Sequence, residues 1–116
     1  DMVLSYTTSP AAHIMFEERY DILATTFEEG NYITIEFAGI LNNSKNKDLA
    51  NKFLNFMLSE EFQSVIPSTN IMYPVTNIKD LPEAFDKLEV PKFIQMDPKE
   101  INKNKEKWID EWLNAS

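Results

Sequence analysis

The residues best suited to chemistry lie close together near the start of the sequence. Leu4 to His13 reads LSYTTSPAAH, so Tyr6, Thr7, Thr8 and Ser9 set four hydroxyl side chains in a row ahead of Pro10. A run of this kind at the end of an apolar strand is either a turn or the floor of a binding site. Ser9 reads as a helix N-cap and Pro10 as the first helical residue, where a missing N–H and a fixed φ do no harm. On that reading the N–H groups of Ala11 and Ala12 are expected to point back toward the strand end, where they and the helix dipole attract anions. The alanines leave room for a ligand, and Tyr6 adds a ring that can stack on a planar solute. On local chemistry alone a simple capped turn accounts for the same residues, and both readings stand.

Little else in the chain suits catalysis. His13 is the single histidine, so no histidine-based triad and no histidine-rich metal site are expected, and it reads as a partly exposed packing residue. Gly30 and Gly39 are the two glycines, too few for a phosphate-cradling loop, and cysteine is absent, which removes thiolate chemistry and disulfides. Glu17-Glu18, Glu28-Glu29 and Glu60-Glu61 are adjacent acids. Neighbours on a helix point about 100° apart, so these pairs do not converge as an acid and a base must; they read as solvated faces. No enzymatic activity and no cofactor are expected.

The elements that position the hydroxyl run follow from patterning. "MVLSY" reads as a short buried strand and Pro10 to Glu18 as a helix. A second strand is expected over 32–41, where Ile33, Thr34, Ile35, Phe37 and Ile40 favour extended structure after the turn at Gly30-Asn31. The region 46–66 is helical. Leu49, Phe53, Phe56 and Met57 form one stripe behind Asn46 as cap, and Ser59 caps a second helix from Glu60 to Ile66 that Pro67 ends. "NIMYPV" reads as an edge or crossing segment because of Pro74. "LPEAFDKL" gives one or two helical turns. A terminal helix over 97–115 starts at Asp97 and Pro98 with Glu100 in a capping-box position, and Trp108 and Trp112 are expected to anchor it in the core. The class is α/β with more helix than strand.

Composition bounds the partners. At 116 residues the chain fits one domain, and 43% hydrophobic with 12% aromatic residues exclude a disordered polymer. A net charge of −8 repels phosphate backbones, which argues against nucleic acid, and it suits a cationic solute. The sequence starts almost directly on a strand-like run, so a piece of a longer protein is expected.

"VLSYTTSPAAHI", "ANKFLNFMLSEEFQ", "IPSTNIMYPV" and "KWIDEWLNAS" resemble the C-terminal part of the periplasmic thiamine-binding proteins of bacterial ABC importers. "SYTTSP" and "MYPV" carry most of the likeness, while "SKNKDLANKFLNFMLSEEFQ" resembles a helical region shared widely by receptors for iron, polyamines and other solutes. The resemblance implies a two-lobed solute-binding fold of the second structural type, an inter-lobe crossing strand over 32–41, and the binding corner with its helix over 1–31. It implies a periplasmic, or membrane-anchored extracytoplasmic, receptor that takes thiamine or a thiamine phosphate and docks on a membrane permease. Tyr6, Thr7, Thr8 and Ser9 then become ligand contacts. Members of the family carry a tyrosine at the position of Ala12 and a tryptophan at that of Ile71, which makes Ile71 and its neighbour Tyr73 further candidates. Alternatives are a polyamine receptor using Glu17, Glu18 or Asp21, an iron receptor, or a small interaction domain. A chain of this extent is expected to expose strand edges and self-associate.

Overall fold

In the computed structural model, which describes residues 2–115, the chain divides into two units. The first takes the residues up to Thr26 together with Ile35–Val90, and the second takes Phe27–Thr34 with the residues from Pro91 onward.

The hydroxyl run leads into α1 (Ser9–Glu17) in the first unit. The cap differs from the expectation by one residue: Thr8 holds the N-cap position without a side-chain cap bond, and Ser9 is already helical. Pro10 still lies in the first turn, where its missing N–H has no helical partner to lose. Ser9 Oγ instead meets Ser5 Oγ at 2.6 Å. The helix ends at Glu18, whose left-handed backbone (φ 53°) lets the Arg19 N–H donate to His13 O at 3.1 Å.

α2 (Lys47–Met57) begins after Asn46, as expected, though the Asn46 side chain makes no cap bond. α3 (Glu60–Gln63) is capped by Ser59, whose Oγ accepts from Phe62 N at 3.3 Å. The single helix expected from Glu60 to Ile66 is in fact two. α4 (Ile66–Thr69) follows α3, and buried Pro67 belongs to its first turn instead of ending a helix. Proline is tolerated there for the same reason as in α1. "LPEAFDKL" supplies α5 (Glu83–Asp86).

The core of this unit is Ala11, Ala84 and Phe85, with Ile14, Met15, Ile71, Leu81 and Leu88 packed around them. It forms where α1 lies against α5. Two alanines at the crossing let the helices approach closely, and Phe85 fills the remaining space. The stripe of α2 is covered only in part. Phe53, Phe56 and Phe62 form a ring cluster with centroids 5.6–6.4 Å apart, while Leu49, Phe53 and Phe56 stay exposed.

In the second unit β1 (Asn31–Tyr32) pairs in parallel with β2 (Phe93–Ile94), Asn31 opposite Phe93 and Tyr32 opposite Ile94. Asn31 N donates to Lys92 O at 2.8 Å and Ile33 N to Ile94 O at 3.1 Å. Gly30, at φ +112°, makes the approach possible. A Cβ there would sit 2.6 Å from Lys92 O and 2.9 Å from Ile94 Cγ1. α6 (Pro98–Ala115) starts at Asp97, whose Oδ1 accepts from Lys99 N at 2.8 Å.

Two strand expectations are corrected. "MVLSY" is not a strand, and Met2, Val3 and Leu4 are each more than 85% exposed. Over 32–41 the pairing ends at Ile33, and Phe37 and Leu41 are exposed. Both segments have strand composition, but an extended chain becomes a strand only against a partner's N–H and C=O groups. Among the described residues, β1 and β2 form the one ladder. The Trp anchors are corrected likewise: Trp108 is half-buried and Trp112 is exposed, because α6 has no buried residue.

Candidate ligand-binding site

The hydroxyl corner is built by a turn set on a buried foot. Ser9 N donates to Tyr6 O and Ala11 N to Thr8 O, both at 3.0 Å. These bonds fold Tyr6–Ser9 back on the helix start. Pro10 and Ala11 directly beneath are buried, Ala11 completely, so the corner cannot shift without disturbing the α1–α5 core. Above this foot Thr7, Thr8 and Ser9 are half-buried and the Tyr6 ring is exposed. No hydrogen bond from the Tyr6, Thr7 or Thr8 hydroxyls is found among the described residues. The corner therefore presents three uncommitted hydroxyls and an open aromatic face.

One expectation about this corner fails. The Ala11 N–H, expected to serve an anion, is bonded to Thr8 O. Shifting the cap from Ser9 to Thr8 brings that carbonyl into reach. Hydroxyls, rather than free backbone donors, are what the corner offers.

Ile71 and Tyr73 lie on the loop after α4. Ile71 packs against the same core as α1, and its backbone is left-handed (φ 54°). That conformation crowds the branched Cβ, which makes it a strained position. Tyr73 sets its ring edge-on to Phe85. Burial pushes its phenol pKa above the ordinary tyrosine value, although more than a third of the residue is exposed. The corner and the loop thus rest on one core. Among the described residues no ring pair joins Tyr6 to Tyr73.

The acids considered for a polycation are largely engaged. Glu17 pairs with His13 Nδ1 at 3.0 Å. Asp21 accepts from Arg19 Nε at 3.1 Å and from Nη2 at 2.7 Å, and this hydrogen bonding holds its carboxyl below the usual range. Glu61 is held low by its own backbone N–H and then by Ser59. No group of three or more metal-ligating side chains is found among the described residues, and no described helix is long and apolar enough to cross a membrane.

Residues 3–104 match the family model of the bacterial extracellular solute-binding proteins. The chain belongs to that family. Relatives of this chain include the thiamine-binding periplasmic proteins of Escherichia coli K12 (46% identical over 99% of this chain), Brucella melitensis (46%, 99%) and Haemophilus influenzae (36%, 97%). A solved periplasmic thiamin binding protein superposes with a TM-score of 0.87 at 46% identity, covering 99% of this chain and 36% of its own. The fold is therefore a part of the binding-protein fold, and the α/β reading holds. The chain spans about 35% of the length of the curated relatives it matches.

Two buried residues of this unit were not singled out by the sequence. Phe85 sits in a short segment with no periodicity to mark it as central. Gln63 reads as a surface polar residue near a helix end, yet it is buried. A hint was available in its place between Phe62 and Ile66, where a polar side chain faces inward only when its partners are fixed.

Proposed function

We propose that the chain forms part of the solute receptor of a periplasmic ABC importer and that the solute is thiamine or a thiamine phosphate. The observation that carries the reading is the hydroxyl corner: three unbonded hydroxyls and an exposed tyrosine ring on a buried helix foot, in a chain 46% identical to proteins named for thiamine binding. The Tyr6 ring stacks on the planar rings of the solute, and Thr7, Thr8 and Ser9 hydrogen-bond its polar edge. Tyr73, and the small Ile71 side chain in place of an indole, shape the neighbouring wall. The net charge of −8 raises the local concentration of a cation such as thiamine.

The protein makes and breaks no bond on this reading. It encloses the solute, and the liganded form docks on a membrane permease, the hinge closure being of the kind used by periplasmic receptors. The polyamine alternative is weaker because Glu17 and Asp21 already pair with His13 and Arg19. The test is titration of the protein as its cell makes it with thiamine, thiamine monophosphate and spermidine, followed by tryptophan fluorescence. Saturable binding of thiamine or its phosphate and indifference to spermidine are expected. Indifference to all three contradicts the ligand, and binding of spermidine alone transfers it to the polyamine class.

A further inference from the structure

We infer that Gln63 is the positioning residue of the binding site, holding the loop that presents Ile71 and Tyr73; the inference rests on the proposed solute-binding role of that loop. Gln63 is 6% exposed, and it is the buried polar side chain of the described residues. Both ends of its carboxamide are used. Nε2 donates to Met57 O at 2.7 Å, a carbonyl in the last turn of α2 that has no partner within the helix. Oε1 accepts from Val75 N at 2.8 Å, twelve residues along the chain. One side chain therefore ties the end of α2, the end of α3 and the far side of the 71–75 loop.

This loop needs such a tie. A branched residue in the left-handed region persists only where its surroundings dictate it, and Ile71 is that residue. Packing against the core of Ala11, Ala84 and Phe85 holds the loop at Ile71, and the Gln63 bond holds it at Val75. Tyr73 lies between the two fixed points, with its ring against Phe85. No other side chain serves as well. The site needs a donor and an acceptor at opposite ends of a neutral group, since a buried charge there has no counter-ion among the described residues.

Three measurements on the full natural chain test the inference. The first is hydrogen exchange of the Val75 amide in the unaltered protein, which is slow if the bond to Gln63 is kept in solution; exchange at the rate of an open loop overturns the proposal without any variant. The second compares Gln63→Leu with Gln63→Glu, whose carboxyl, kept neutral by burial without a counter-ion, still donates to Met57 O and accepts from Val75 N. Gln63→Leu weakens thiamine binding about tenfold, the equivalent of one hydrogen bond, and Gln63→Glu retains more of the affinity. The third repeats Gln63→Leu on Tyr73→Ala, where its effect on affinity shrinks because the residue it positions is gone. An undiminished effect there, or full affinity in Gln63→Leu, contradicts the inference. If the unaltered protein binds no thiamine, the ligand assignment fails by itself. The role of Gln63 is then decided by the phenol titration of Tyr73, which Gln63→Leu returns toward the ordinary tyrosine value and which a bystander glutamine leaves in place.

Discussion

The ring of Tyr73 stands edge-on to that of Phe85, with centroids 5.2 Å apart and planes at 77°. Phe85 is 3% exposed and belongs to the same core as Ala11, the foot of the hydroxyl corner, so one small core underlies both the corner and the Tyr73 ring. Replacing Phe85 with Ala removes the largest side chain of a small core and is expected to cost about 3–5 kcal/mol. Phe85→Leu keeps most of the volume and costs less, and it still removes the edge-on ring pair. Chemical denaturation gives the first quantity, and the near-ultraviolet circular dichroism of Tyr73 reports the second. A Phe85→Ala protein as stable as the parent contradicts the placement of the core.

The raised phenol of Tyr73 fixes the sign of a pH effect. Burial disfavours the phenolate, so the folded pKa lies above the unfolded value of about 10. The folded state then binds the Tyr73 proton more tightly than the unfolded state. Stability from this group is fully present below the unfolded pKa and is lost as the pH rises through the folded one. Solute binding through a neutral Tyr73 is accordingly flat across the neutral range. Ultraviolet titration is expected to reveal a late-ionising tyrosine that disappears in Tyr73→Phe; an unchanged late phase in that variant contradicts the assignment.

Much of this arrangement was legible from residue types. The Ser59 cap, the start of α2 after Asn46, the short α5 and the start of α6 at Asp97 are all written in local chemistry, because capping joins residues two to four positions apart. The hydroxyl corner was legible for the same reason. Strands were less so. "MVLSY" and 34–41 have the composition of strands, but pairing is a property of two segments, and composition does not say whether the second is present. The Thr8-for-Ser9 cap escaped because proline is accepted at either of the first helical positions. Gln63 escaped because its burial depends on Val75, a contact across twelve residues that no local pattern encodes.

Gly30 gives a test of the second unit. At its φ of +112° a side-chain methyl would come within 2.6 Å of Lys92 O, which leaves no place for it. Gly30→Ala is expected to destabilise the β1–β2 pair by about 1–3 kcal/mol. Hydrogen exchange of the Asn31 and Ile33 amides, which donate across that pair, is the direct readout. Protection equal to the parent's in both amides counts against the register.

The central claim is that the hydroxyl corner grips the solute, and Tyr6 tests it most directly. Its ring is 69% exposed and supports no core, so Tyr6→Ala is expected to leave the unfolding midpoint unchanged. Calorimetric titration of the full natural chain with thiamine is the measurement. Loss of about 1–3 kcal/mol of binding free energy in Tyr6→Ala, the value of one stacked ring, is the predicted result. Thiamine bound by Tyr6→Ala as tightly as by the parent protein would contradict the account.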